Sequence, residues 1–448
     1  MSGDTRLEGR HFLIVTLGCF RNEVESDMFR SALSDLGLRE TSDPALCEIA
    51  FVNTCGFIRD ACDEAIDTIL ELDESLSALE PRPPLMVVGC MAQRYPGLTD
   101  AMSEVQGLLG AGWAKELRQA VTALLEGDSY SGGMRKGAPQ DARRTRDSST
   151  GTTLFVRVAD GCARACAFCT IPSIRGPYRS RPVEEVVAEV ETLCAGRDRE
   201  VVLLAQDLSY YGNDLGRPML PLLLEELSRA ERARWVRMLY LQPEGVTAEL
   251  LEAMSENPGV CHYFDVPFQH ASKGVLRRMG RPGDAGDHLA LVERIRGAIP
   301  DASIRTTLMV GYPGETDADF AALERFVRDA RFDWMGAFCY SPEEGTRAAR
   351  LEGQVPSGLA ADRYNRVLDI QQEVEESRSH SMIGRVLEVV IDAPGDPDEP
   401  GSRARSYREA PVVDGLIYLG GCEASRGFAQ CRITGTEGLD LVAEVIEQ

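Results

Sequence analysis

The sequence predicts an α/β protein in three parts: an N-terminal three-layer parallel-sheet domain, a central incomplete (β/α)6 barrel, and a small all-β, OB-like barrel at the C-terminus. Three observations carry this. Apolar runs alternate with amphipathic stretches through most of the chain, which is the mark of strand–helix units. Six such strand candidates recur after residue 150, fewer than the eight of a complete barrel. The tail instead holds short β-rich runs among Gly and Asp turns.

In the first part, His11–Leu17 (HFLIVTL) reads as a strand, followed by helical spacing over Glu23–Leu36. Ile49–Val52 and Leu85–Val88 are the next strands, with helices near Ile58–Leu70 and Lys115–Leu125. Residues 127–150 turn rich in Gly, Ser, Asp and Arg and read as a linker. The barrel strands are Leu154–Val158, Val201–Leu204, Trp235–Leu239, Tyr263–Val266, Ser303–Met309 and Trp334–Phe338. Helices such as Val183–Leu193 and Leu289–Ile299 separate them, and Arg363–Ser381 ends the barrel. An incomplete barrel leaves a lateral opening for a large substrate. The tail strands are Val386–Ile391, Glu409–Val413, Gly415–Tyr418 and Gln430–Ile433. The bounds expected are therefore 10–126, 127–150, 151–381 and 382–448.

No apolar run among the 448 residues is long enough to span a bilayer, and the first ten lack a signal peptide's apolar core. The expectation is a cytoplasmic protein with no membrane partner. The formal net charge of −23 repels phosphate backbones and disfavours stable nucleic-acid binding, although acidity for solubility explains much of it.

Thirteen cysteines are many for a reducing compartment, where special spacings mean metal or catalysis. DGCARACAFCTIP, residues 160–172, sets Cys162, Cys166 and Cys169 in a C-x3-C-x2-C loop after a strand. A four-iron cluster takes four thiolates, so three leave one iron open to chelate a ligand and reduce a bound sulfonium. The competing reading is a zinc site with a distant fourth ligand, but zinc favours paired knuckles and no second one exists here. Cys19, Cys55 and Cys90 each stand just past the carboxyl end of a strand, and Gly18 and Gly89 precede two of them. In an open parallel sheet those ends share one rim. The three thiols either converge there on a second cluster or are unrelated small core residues. Cys47, Cys62, Cys194, Cys261, Cys339, Cys422 and Cys431 are assigned to packing, with Cys62 near enough to Cys55 to watch.

Gln206, Asp207, Gln269, His270, Gly311, Gly314 and Glu315 follow barrel strands, where polar residues bind ligands. Each also reads as a turn or cap. Lys273 and Arg277 fit a solvated helix face, and Arg305 fits a carboxylate partner.

The stretches TLGCFRNEVESD, VNTCGFIRDACDEAI and VVGCMAQRY resemble the amino-terminal domain of the methylthiotransferases, a radical S-adenosylmethionine (radical SAM) family. DGCARACAFCTIPSIRGPYRSR, FDVPFQHAS, MVGYPGETDADF and YSPEEGTRAA resemble its radical core, and the tail resembles its TRAM domain. The resemblance implies two [4Fe-4S] clusters: Cys162, Cys166 and Cys169 for the one that cleaves S-adenosyl-L-methionine, and Cys19, Cys55 and Cys90 for an auxiliary one. It makes Gln206, Asp207, Gln269, Gly311 and Glu315 candidates for the S-adenosylmethionine side of the barrel. A deoxyadenosyl radical would take a hydrogen from the target carbon, which would gain sulfur from the auxiliary cluster and a methyl group from a second S-adenosylmethionine. Such chemistry needs a low-potential electron donor such as flavodoxin or ferredoxin.

YSPEEGT and RSYREAPVVDG look like the branch that modifies the β-carbon of an aspartate in small-subunit ribosomal protein S-twelve. The alternative branch acts on a modified adenosine in transfer RNA. Residues 382–448 hold six arginines against twelve acids, a balance suited to a basic protein rather than to RNA. Arg21, Ala163 and Ala165 depart from the family pattern at positions that are not ligands.

Overall fold

The computed structural model describes residues 7–134, 144, 151–194, 196–230, 232–393, 401–420 and 425–447. Two compact units form. Asp160–Ala165 and Cys169–Arg179 belong with the N-terminal unit, and Cys166–Phe168 with the unit that runs on from Ser180.

The N-terminal unit is a sheet of β1 (His11–Thr16), β2 (Arg39–Glu40), β3 (Ile49–Thr54), β4 (Leu85–Gly89), β5 (Gly107–Leu109) and β6 (Tyr130–Gly132). The order is β2-β1-β3-β4-β5-β6, and every pairing is parallel. The central β3 is buried along its whole length, as a strand covered on both faces must be. One face packs Phe51 edge-on against Phe29, which meets Trp113. The other sets Ala50 and Val52 against Ala65 and Ile69 of the helix Arg59–Ser77. The strand β6 lies within the stretch read as linker. Glu116 holds it there, with Oε2 accepting from the Tyr130 hydroxyl and from the Gly133 N–H. Farther along, Arg144 is buried against Asp27.

In the second unit, β7 (Thr153–Arg157) leads to the cysteine loop, which the short β8 (Ala159–Asp160) and β9 (Arg179–Ser180) flank in sequence. The other barrel strands are β10 (Arg199–Leu204), β11 (Ala233–Met238), β12 (Tyr263–Asp265), β13 (Ser303–Val310) and β14 (Trp334–Cys339). They form two parallel ladders, β7-β10-β11 and β12-β13-β14. A single bridge, Val236 to Val260, and the bond from Leu241 N–H to Asp265 C=O join the ladders. Among the described residues β7 and β14 share no ladder, so the barrel is an open arc of six strands. No helix among the described residues is long and apolar enough to cross a membrane.

The tail is a closed barrel, ordered β15-β16-β17-β19-β18. Its strands are β15 (Val386–Ala393), β16 (Ser402–Arg405), β17 (Ile417–Leu419), β18 (Gly427–Glu437) and β19 (Asp440–Glu447). Val389, Ile391, Ala404, Leu419 and Ile433 fill it. Glu409–Val413 is not the strand its composition suggests. Glu409 Oε2 accepts from Ser406 N–H and Oγ–H, and Asp414 Oδ2 from Ala410 N–H, so the segment closes into turns.

Those turns pack against the amino ends of the barrel strands. Trp334 Nε1–H and Ser303 Oγ–H both donate to the Arg408 carbonyl. Asp414 accepts from the Tyr263 hydroxyl at 2.6 Å and from Arg305 at 3.1 Å. Buried Glu200 takes Arg237 at 2.6 Å and Arg405 at 2.7 Å, while Arg237 donates onward to the Ser406 and Tyr407 carbonyls. Burial alone raises the Glu200 carboxyl, but Arg405 and Arg237 outweigh it and hold it down to about 2.

The folded value lies below the unfolded one of about 4.3, so this stabilisation is complete above that pH and is lost as pH falls toward 2. Glu200→Gln leaves buried Arg237 without a carboxylate and Arg405 with Asp392 alone, and should cost roughly 3–5 kcal/mol at neutral pH. Urea melts at pH 7 and at stepped acidic pH check both. The variant should lose the wild type's dependence in that acidic window.

Candidate functional site

In the N-terminal unit the three single cysteines stand past the carboxyl ends of β1, β3 and β4, on one rim of the sheet. Cys19 precedes the helix Phe20–Asp35, Cys55 follows β3, and Cys90 opens the short helix after β4. The crowding is visible in the glycines. Gly18, at φ +94°, lies where an added Cβ would stand 2.7 Å from the Cβ of Cys55. Gly89, at φ +92°, leaves no room beside the Asn53 amide oxygen. Each substitution would push a thiol-bearing turn off the rim.

The thiols feel one another. Burial pushes the Cys55 thiol up to about 11 against the Phe57 N–H, and Cys90 and Cys19 add smaller pushes upward. Burial also raises Cys90, although Arg175 opposes it. At Cys19 burial is outweighed by Arg21, by the N–H groups of Arg21 and Asn22, and by Arg175, so its thiol is lowered. Arg21, one of the departures from the family pattern, thus acts on the Cys19 thiol through its charge.

Arg175 was not singled out by its sequence context. Its guanidinium donates to the Cys90 sulfur at 3.0 and 3.3 Å and forks onto Glu25 at 2.6 and 3.1 Å. Glu25 also accepts from Trp113 Nε1–H. Asp160, beside the cysteine loop, lies 3.7 Å from the same guanidinium. Within this unit Thr170 Oγ–H bonds the Phe57 carbonyl, and Cys162 N–H bonds the Gly176 carbonyl. The loop segments bearing Cys162 and Cys169 are thereby fastened to the rim that bears Cys55 and Cys90.

In the second unit Cys166 receives Arg281 Nη1–H at 3.8 Å, while Nη2–H bonds the Pro267 carbonyl. Ala167 N–H is held by the Met279 carbonyl. Among the described residues no three His, Cys, Asp or Glu side chains are gathered around one metal ion. The donor set suits a polynuclear iron–sulfur cluster instead: thiols on separate loops, with guanidinium donors aimed at two of the sulfurs.

The barrel-end candidates divide. Gln269, at φ +69°, stitches β12 to β13 through Thr307 and Met309, and Tyr240 at the end of β11 is also left-handed, at φ +63°. Non-glycine residues so held store of order 1–3 kcal/mol each, and Arg232 and Arg331, which precede β11 and β14, are left-handed as well. Gln206 is half-buried at the end of β10. Asp207 is buried and accepts from Ser209 Oγ–H, which supports Gln242 N–H in turn. Glu315 is committed to Arg363 at 2.8 Å and faces the buried His270 ring at 3.6 Å. Gly311 packs against Ala360, where a Cβ would come within 2.6 Å. Both therefore anchor the helix Ser357–His380, and Arg278 clasps the Gly314 carbonyl. Lys273 is exposed, and Arg305 pairs with Asp265 and Asp414.

Cys47, Cys62, Cys194, Cys261 and Cys431 are buried as packing residues, and Cys422 lies outside the described residues. Cys339 corrects that assignment. It is exposed, because it ends β14 at the unpaired edge of the arc.

Residues 11–110 match the Uncharacterized protein family UPF0004, residues 156–327 the Radical SAM superfamily, and residues 383–446 the TRAM domain. The chain is 43% identical to a protein of Moorella thermoacetica named ribosomal protein uS12 methylthiotransferase RimO, covering 92% of this chain and 94% of that one. A protein of the same name from Syntrophotalea carbinolica is 38% identical over 100% and 99% of the two chains. Among solved structures, the radical S-adenosylmethionine methyltransferase TsrM of Kitasatospora setae, with cobalamin and a [4Fe-4S] cluster bound, superposes with a TM-score of 0.57. It is 16% identical, covers 74% of this chain and 75% of that one, and supports the fold alone.

Arg175→Ala would leave Glu25 buried without its cation, and should destabilise the N-terminal unit by roughly 3–5 kcal/mol. Arg175→Lys keeps the charge, loses the fork, and should cost distinctly less. Chemical denaturation of the two variants beside the wild type checks this.

Proposed function

The chain belongs to the family of ribosomal protein uS12 methylthiotransferases, and on that footing we propose that it replaces a β-hydrogen of an aspartate in uS12 with a methylthio group. The observation that carries this reading is the gathering of Cys19, Cys55 and Cys90 on one rim, in a chain that also bears the C-x3-C-x2-C loop. On this reading Cys162, Cys166 and Cys169 hold one [4Fe-4S] cluster, and the rim thiols hold a second. Bound there, the two clusters and S-adenosyl-L-methionine supply the carbon radical chemistry, the sulfur and the methyl group. The residues of the chain orient the thiols and balance their charge. Arg281 does so at Cys166, and Arg175 with Arg21 at the rim. Gln206, Asp207, Gln269, Gly311 and Glu315 remain the candidates beside S-adenosylmethionine. Gln269 and Gln206 are the better placed, since the other three have structural duties.

Residues 10–126, joined by β6 from the stretch 127–150, serve as the auxiliary-cluster part, 151–381 as the radical core and 382–448 as the tail barrel. The tail favours a protein substrate. Residues 382–448 hold twelve acids against six arginines, a composition that suits a basic ribosomal protein. A low-potential donor such as flavodoxin or ferredoxin feeds the reaction, and a ribosomal substrate places it in the cytoplasm.

Intact masses of small-subunit proteins, from cells with and without this gene, should differ by one methylthio increment on uS12 alone. Loss of methylthio-adenosine from transfer RNA, with uS12 unchanged, would transfer the activity to RNA. Reconstituted wild type should carry about eight irons per chain, and Cys55→Ala about four. Equal iron in both would remove Cys55 from any cluster.

A further inference from the structure

A second concave site lies in the barrel unit, at the strand ends opposite the cysteine loop. It is a cavity of about 530 Å³. Arg199 opens β10, Arg232 and Arg234 stand at the start of β11, and Thr152 precedes β7, so these are amino ends of barrel strands. The cysteine loop follows the carboxyl end of β7, and a strand of six residues spans about 20 Å. The cavity is therefore separate from the radical site.

Its lining is basic in a chain whose formal charge is −23. Arg197 and Arg426 join the three arginines already named, and among the described residues Asp198 is the one acid on the wall. Asp198 spaces the fan, accepting from Arg232 at 3.0 Å and Arg234 at 3.5 Å, and Glu388 braces Arg234 from behind. Arg199 is buried and donates to the Gly151 carbonyl at 2.9 Å, which fixes that guanidinium in the wall. Phe428 adds an aromatic wall, its ring 5.1 Å below the Arg234 guanidinium and edge-on to Trp235.

We propose that this cavity binds a free nucleoside phosphate, with the arginine fan taking the phosphates and the Phe428 side taking the base. The volume falls in the range of small-ligand pockets, about 300–1,000 Å³. Guanidinium forks match phosphate oxygens, and an aromatic wall accepts a base of any identity. Charge range selects the small anion over a long one. At physiological salt, fields fade over about 8 Å, so a nucleotide in the cavity feels the arginines. A strand of RNA would run out over the acidic surface and be repelled.

The test is calorimetric titration of the reconstituted full-length protein with ATP. One ATP should bind per chain, severalfold more weakly when salt rises from about 50 to about 200 mM. Adenosine should fail to bind, and S-adenosyl-L-methionine, which has no phosphate, should fail to displace ATP. Arg232→Glu, and separately the exposed pair Arg197→Ala with Arg426→Ala, should each weaken ATP at least about tenfold with unchanged thermal melting. If Arg232→Glu melts early, the double alanine variant decides. Absence of ATP binding, or binding unchanged in the variants that fold, overturns the proposal. So does a single-stranded RNA oligonucleotide that binds more tightly than ATP and is lost in the same variants, since the site would then read a polymer.

Discussion

A parallel strand has a direction, and in this chain that direction decides where chemistry can occur. Six strands of the N-terminal sheet run the same way, so the loops after β1, β3 and β4 open on one rim. Cys19, Cys55 and Cys90 come together there although 36 and 35 residues of chain separate them in turn. An antiparallel strand in any of the three places would send its thiol to the far edge of the sheet. The barrel obeys the same rule, with its cysteine loop after the carboxyl end of β7.

The amino ends of the barrel are thereby free for another task, which is stability. The tail barrel is bonded to them through Glu200, Asp414 and the Arg408 carbonyl. Buried charges are an expensive cement, and an apolar joint of equal volume would hold as well. What the ionic joint adds is register. Glu200 must meet Arg237 on the neighbouring strand and Arg405 on the tail together, and a shift of one residue in either would bury unmatched charge.

The elements visible in the sequence were those long enough to show a period. All six barrel strands and the first three apolar strands of the N-terminal sheet were legible as runs of branched residues. Gly107–Leu109 and Tyr130–Gly132 were not, because three residues carry no period and their pairing comes from neighbours. Glu409–Val413 misled for the opposite reason. Its valines suggest a strand, yet the hydrogen bonds of Glu409 and Asp414 win locally. The six cysteines proposed as cluster ligands were singled out by spacing and placement. Arg175 and Arg281 were not, since their sulfur partners lie 85 and 115 residues away and no local pattern records such a distance.

These two arginines explain why the thiol sites can be partly buried at all. Thiolates withdrawn from water repel one another and resist ionisation, as the raised Cys55 shows. A fixed cation must offset this, and it must stay charged next to apolar walls. Lysine would lose its proton under those conditions, whereas arginine keeps it. Arginine also has donors to spare: Arg175 meets the Cys90 sulfur and the Glu25 carboxylate at once, and Arg281 meets Cys166 and the Pro267 carbonyl. Each guanidinium is thus positioned by a second partner before any cluster binds. The charge of a bound cluster would meet a prearranged counter-charge rather than one that has to be ordered on binding.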